Sequence, residues 1–337
     1  MQKLTLTLLT VVIAFSLILT ACGPPAPTTA PVSNGAPATD APALAPADTL
    51  EGNIAISGAF ALYPMMTLWA EEFQKLHPKV TFDVSAGGAG KGMTDALSGA
   101  VDIGMVSRSV TSEEEAKGAY AVAVVKDAVF PIVNAQNPVI NDLLAKSVSK
   151  DMFIKIFITG EIKTWGEVVG KPEITDEIHV YTRSDSAGAA DAWAKFMGGK
   201  KQDDLNGVGV NGDPGLLEAV IKDPLGIGYN NLGYAFDNST GEAVAGAMVL
   251  PIDANGDGLA GADEVIKSKA RAVDAVATGK YPSPPARDLN VVTNGKPSGL
   301  TQTFIEWILT DGQQFVATAG FVQLPADQLT ESLAKVK

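Results

Sequence analysis

The stretch Ile178 to Phe196, IHVYTRSDSAGAADAWAKF, decides the reading of the chain. Ile178 to Thr182 alternates as a strand does, Arg183, Asp185, Ser186 and Gly188 make a tight polar turn, and the Ala-rich run after it sets Trp193 and Phe196 at helical spacing. A helix that starts straight from a strand leaves its first N–H groups free and pointing along the positive end of its dipole, so a small oxyanion is the natural guest. Arg183 adds a planar donor fork, and Asp185 can hold that fork or accept a proton from the guest. The alternative reading is an ordinary strand-to-helix loop with a surface ion pair.

Working outward, the same pattern recurs. Glu51 to Ala61 reads as a strand ending in Ser57-Gly58, and Pro64 opens a helix whose apolar stripe is Met66, Trp69, Ala70 and Phe73. Val80 to Ser85 is a second strand that meets the glycine turn Gly87 to Gly92, with a helix from about Met93 to Ser98. Val101 to Val106 is a third strand, ending in Ser107 and Arg108. In an open α/β sheet such strand ends share one edge, where ligands bind.

Farther along, Ala121 to Val125 and Phe130 to Val133 flank Lys126-Asp127, a crossing between lobes. Leu143 to Phe157 is read as one helix, Pro214 to Lys222 as another, Gly226 to Tyr229 as a strand, Leu289 to Thr293 as a returning strand, and Pro297 to Ala319 as a long amphipathic helix.

The first 22 residues carry one early lysine, an apolar run from Leu4 to Leu19, and then Thr20-Ala21-Cys22. This is a secretory signal, 1–21, and its end resembles the lipobox of bacterial lipoproteins, in which the cysteine is acylated. Cys22 is the chain's one cysteine, so no disulfide forms within it. Residues 22–50 are rich in Pro, Ala and Thr, the composition of a semi-extended tether that holds a folded body off a membrane. The length of 337 residues suits two domains, and a net charge of −13 argues against nucleic acid. An anionic ligand remains compatible, because the local field in a cleft outweighs net charge seen through salt.

Asp253, Asn255, Asp257, Gly258, Leu259 and Glu264 have the spacing of an EF-hand calcium loop: oxygen ligands at alternate positions, glycine at the sharp turn and a closing carboxylate. A structural Ca2+ there would tie the strand Ala247 to Ile252 to a helix from about Ala262 to Val276. The other reading is an acidic turn with no metal.

Taken in order, several segments resemble the phosphate-binding lipoproteins of bacterial ABC transporters, within the two-lobed periplasmic binding proteins. They are Ile56-Ser57-Gly58 through Phe73, Gly99 through Arg108, Phe157 to Ile162 with Trp165, Gly226 to Tyr229, and Thr293 to Leu300. The resemblance implies an α/β, type II two-lobed fold with a mixed sheet flanked by helices in each lobe and two hinge strands between them. Lobe 1 would be 51–128 and 288–337, and lobe 2 would be 129–287. It implies a small oxyanion, phosphate first, held between the lobes by Ser57, Gly58, Phe60, Ala61, Ala89, Gly90, Ser107, Arg183, Asp185, Ala187, Gly188 and Ala189.

It also implies a membrane ABC permease as partner, a monomeric receptor outside the cytoplasm, and no catalytic residues. The chain departs from the family where hydroxyl residues are usual: Phe60, Ala61, Ala89, Ala187 and Ala189 keep a backbone N–H but bring no side-chain donor. Each lost bond to a charged guest is worth about 1.5 to 3 kcal/mol, and Ser57, Ser186 and Lys91 stand nearby to compensate. Two other functions compete. An anion sensor or surface interaction module on the same fold fits the missing hydroxyls. A phosphatase is disfavoured, because the only histidines, His77 and His179, lie at none of these turns.

Overall fold

The computed structural model describes residues 49–337. The expected signal, Cys22 and all but the end of the expected tether lie outside the described residues, and Leu50 packs onto the first core.

Eleven strands are formed among the described residues: β1 (Gly52–Gly58), β2 (Val80–Ala86), β3 (Ile103–Val106), β4 (Ala119–Asn134), β5 (Val148–Ser149), β6 (His179–Arg183), β7 (Val208–Val210), β8 (Gly226–Asn231), β9 (Ala247–Val249), β10 (Ile252–Asp253) and β11 (Ala286–Asn294). Nine of them build one curled sheet in the order β2-β1-β3-β11-β4-β8-β6-β7, with β9 beside β4, and β5 pairs separately with β10.

β4 explains how one sheet serves two lobes. Its first half pairs antiparallel with β11, from Ala119↔Asn294 to Ala128↔Ala286, and its second half pairs with β8 and β9. Val122, Val124 and Val125 therefore enter one apolar core, with Trp69, Phe73, Phe304 and Ile308. Phe130, Ile132 and Val133 enter another, with Phe153, Trp165, Trp193 and Tyr229. The residues from Asp127 to Asn134 are buried on both faces, which is why this stretch reads as a continuous apolar run rather than an alternating one.

Within each lobe the strands that carry turns are parallel: β1 with β2 and β3, and β6 with β7 and β8. Parallel strands end on the same edge, so Gly58, Ala86 and Val106 of one lobe and Arg183, Val210 and Asn231 of the other each finish in a row.

Several expected elements are shorter than their apolar pattern. The run Leu143 to Phe157 is not one helix: it breaks into helices Ile140–Ala145 and Lys150–Ile154 and a π-turn Lys155–Thr159. Val148 is drawn out to pair with Ile252, and Ser149 caps the helix Lys150–Ile154 by accepting from the Met152 amide at 3.2 Å. The run Pro297 to Ala319 likewise stops as a helix at Leu309. There the Gly312 carbonyl turns to accept the buried indole N–H of Trp69 at 2.9 Å, and Gln313 donates to the carbonyls of Val124 and Ile308. Conversely, the helix expected from Met93 begins at Ala89, and that after the acidic loop begins only at Lys269, capped by Ser268.

Candidate functional site

Four helices of more than two turns begin at the edge where the strands end: Tyr63–Leu76, Ala89–Ser98, Gly188–Phe196 and Gly212–Lys222. Their N-cap residues, Leu62, Gly88, Ala187 and Asn211, have no side chain that caps the first turn. The first N–H groups are therefore left to other partners, and their partial charges add at the same edge. Small residues make this close approach possible. A Cβ on Gly188 would run into the hydroxyl and carbonyl of Ser107, and one on Gly90 into the Ser186 hydroxyl, whose residue's carbonyl accepts the Gly90 amide at 3.0 Å. The third helix is fixed from behind, where Trp193 stacks on Tyr229 with ring centroids 5.9 Å apart and meets Phe153 edge-on at 5.0 Å.

Between these starts lies a thin crevice of about 140 Å³, nowhere wide enough to admit a water-sized sphere. Phe60, Ala61, Ala89, Ser107, Arg183, Ala187, Gly188 and Ala189, all anticipated from the sequence, line it together with Gly88, Asp213 and Asn231. Arg183 is the one cation on its wall, and its side chain is 2% exposed. Its Nε and Nη2 donate to the two oxygens of Asp185 at 2.8 and 2.6 Å, and its Nη1 donates to Asp213 Oδ2 at 2.6 Å. Burial works against the guanidinium's charge, but Asp213 and Asp185 outweigh it and hold Arg183 above its ordinary value. The Phe60 ring covers the guanidinium, 5.2 Å from centroid to Cζ, which keeps water off it.

Four anticipated residues stand outside the lining. The Ser57 hydroxyl is turned away, donating to Asp95 Oδ2 at 2.6 Å, and Gly58 gives close packing against Met105 and Gly92. Gly90 ties the two turns together through Ser186, and Asp185 works behind Arg183, also accepting the Gly212 amide at 3.0 Å. Nor do the compensating donors arrive: Lys91 is paired with Asp95, and Ser186 packs on Gly90 and faces a separate open cavity beside Lys195, Lys200 and Lys201. Ser107 is thus the one residue with a side-chain hydroxyl on the lining.

Asp213 and Asn231 were not anticipated. The helix read as starting at Pro214 starts at Gly212, and the available signal was an acid placed one residue before a first-turn proline. Asp213 Oδ1 accepts from both the amide and the side chain of Asn231, whose Oδ1 accepts from Arg287 Nη2. Arg287 Nε in turn donates to the Ser107 carbonyl at 2.9 Å. One hydrogen-bonded chain therefore runs behind the crevice from the Ser107 turn to Arg183. Arg287 on β11 stands 3.5 Å from Asp127 on β4, their side chains 10% and 1% exposed. Burial pushes Asp127 up to about 6 in spite of Arg287, and it lowers Arg287 in spite of Asp127.

The profile of the PBP superfamily domain matches residues 37–312. The chain belongs to this superfamily. Its two lobes, curled mixed sheet and crossing strands are those of the type II periplasmic binding proteins. Relatives include the phosphate-binding protein PstS of Bacillus subtilis, 28% identical over 335 residues that cover 98% of this chain and 97% of the relative. The PstS of Methanocaldococcus jannaschii is 28% identical over 319 residues, covering 77% and 79%. Among solved structures, a candidate phosphate ABC transporter substrate-binding protein from Clostridium perfringens, with bound phosphate, aligns with a TM-score of 0.65 at 24% identity, covering 81% of this chain and all of that one. An ABC-type phosphate transport receptor from Vibrio cholerae aligns at 0.58 and 20% identity, with coverages of 81% and 100%.

A second cluster lies apart from the crevice, in the superfamily member's second lobe. Oxygens of Asp253, Asp257 and Glu264 lie within 4.8 Å of one another. They are turned inward by the backbone: Asp253 accepts from Gly256 and Gly258, and Glu264 accepts from Ala254 and Gly261. Asn255 donates to Asp257 at 3.0 Å, Leu259 sits at the loop's exposed tip, and Gly258 takes the left-handed φ of 70° that the sharp turn requires. No helix among the described residues is long and apolar enough to cross a membrane.

Proposed function

We propose that this chain is the solute-binding receptor of an ABC importer and grips phosphate or a related small oxyanion between its lobes. The observation that carries the reading is the meeting of four helix starts, none capped by a side chain, with one buried guanidinium on a single crevice between two cores. Backbone N–H groups and an arginine that is already held in place present fixed donors to a tetrahedral anion once the lobes make room for it. In this reading Phe60, Ala61, Ala89, Gly188 and Ala189 serve through their amides, Ser107 through its hydroxyl and Arg183 through its charge, with Asp185 holding Arg183. Ser57, Gly58, Gly90 and Ala187 shape the turns. The crevice as it stands has no room for a guest, so one enters only when the lobes part about β4 and β11.

The relatives named PstS support the transport role. The N-terminal pattern supports acylation at Cys22 and a receptor, which we read as a monomer, tethered outside the cytoplasm beside its permease. Calorimetry with phosphate, sulfate, molybdate and organic phosphates tests the receptor: heat with at least one that is lost in Arg183→Ala is expected, and no heat with any of them removes the reading.

The single hydroxyl on the lining favours one competing function, a sensor or interaction module that keeps the fold without the transport. Small-angle scattering separates the two, since a receptor contracts on its ligand.

We further read the loop from Asp253 to Glu264 as a structural Ca2+ site, on the strength of its converging carboxylates. Asp253, Asn255, Asp257 and Glu264 would supply side-chain oxygens and Leu259 its carbonyl.

A further inference from the structure

Arg183 is met by two carboxylates where one would neutralise it. Asp185 takes its Nε and Nη2 edge, and Asp213 takes Nη1, with the Asp213 side chain 1% exposed. Of the five N–H groups of a guanidinium, three are thereby committed. Asp213 cannot swing aside to release its share, because its other oxygen is held twice by Asn231, which is itself held by Arg287.

The charges can be weighed against one another. Each helix start carries roughly half a positive charge, and with the start at Gly212, whose first turn holds Asp213, four give roughly +2. Arg183, Asp185 and Asp213 together give −1, and the Asp127–Arg287 pair behind them cancels. The wall is left at roughly +1, which balances a singly charged guest and leaves a doubly charged one in excess in a site that excludes water. Without the charge of Asp213 the same wall stands at roughly +2.

We propose that Asp213 is the specificity-determining residue of the crevice and selects a singly charged oxyanion over a doubly charged one. This rests on the receptor reading above and names the charge class of its ligand. The work is done by a fixed charge on the crevice wall beside Arg183, so any guest that is locally a monoanion is accepted, and sulfate, which stays doubly charged, is disfavoured whatever its shape.

The ionisable groups around Asp213 are Arg183 on β6, Asp185 in the next turn, Asp127 and Arg287 on the crossing strands, Tyr229 on β8 and Tyr234 just after it. Of these, Asp127, pushed up to about 6, changes charge across the range in which phosphate does. Sulfate keeps its charge there and so reports the contribution of Asp127 by itself.

Calorimetry on the wild type and Asp213→Asn, with phosphate and with sulfate at about pH 5 and about pH 8, on either side of the second ionisation of phosphate, tests the assignment. The wild type should bind phosphate about tenfold more tightly at the lower pH once the change seen with sulfate is divided out. D213N should lose that preference and bind both dianions at the higher pH about tenfold more tightly than the wild type. A D213N protein that binds the dianions no better, while the wild type still binds phosphate, overturns the assignment and leaves the receptor standing. No binding by the wild type at either pH removes both. Asp213→Ser and the wild-type comparison, which needs no variant, decide the matter if D213N fails to fold.

Discussion

Asp127 shows what a single carboxylate costs when the fold buries it at a hinge. Its folded value of about 6 lies above the ordinary carboxylate value of about 3.9 that it regains on unfolding. Between those values the folded chain holds the proton more often than the unfolded one, so stability falls as pH rises and levels off above the folded value. From about pH 5 to about pH 7 the loss should be on the order of 1 kcal/mol relative to Asp127→Asn, read from urea unfolding at each pH. Parallel pH profiles for the two proteins would refute this. Arg183 makes the complementary case, being buried among charges that stabilise its ionised form. Arg183→Lys keeps the charge but cannot span Asp185 and Asp213 as a fork, so phosphate affinity should drop at least about tenfold, with Tm lowered as well.

At the scale of elements, helix starts matter more than side chains, and this is also where the sequence is most legible. The strand-turn-helix of Ile178 to Phe196 and its two counterparts in the first lobe show in alternation, glycine and helical spacing, and they place seven lining residues, with Ser107 added by the third strand end. What escapes is what distant contacts decide. Val148 leaves its helix for a strand partner more than a hundred residues away, and Gly312 turns out of its helix to meet Trp69. Asp213 comes after a three-residue strand that only the parallel neighbour β6 makes visible. Ser57 has the look of a ligand donor in the sequence, but Asp95, in the second turn of a neighbouring helix, claims its hydroxyl. A close-approach glycine gives the sharpest test at this scale. A methyl at position 188 meets Ser107 across the crevice, so Gly188→Ala should hold the lobes apart. Phosphate affinity should fall at least about tenfold, with the urea midpoint little changed. Unaltered affinity would mean that the two turns do not close on the ligand.

At the scale of the whole molecule, two cores share one sheet through β4 and β11, so binding at the crevice and lobe closure are one event. The acidic loop adds a separate lever in the second lobe. At about a hundred times its Kd, Ca2+ should raise Tm by about 5 °C over the chelated protein, and Glu264→Gln should abolish the rise. An identical Tm with calcium and with chelator would leave the loop as a plain acidic turn.

The central claim is that amides at several helix starts, together with Arg183, take the oxyanion. Amide chemical shifts during a phosphate titration of the 15N-labelled protein measure this most directly. Saturable shifts concentrated at Phe60, Ala61, Ala89, Gly188 and Ala189, absent in Arg183→Ala, are the result the account predicts. Shifts confined to the exposed lysines near Lys200, or none anywhere, would contradict it.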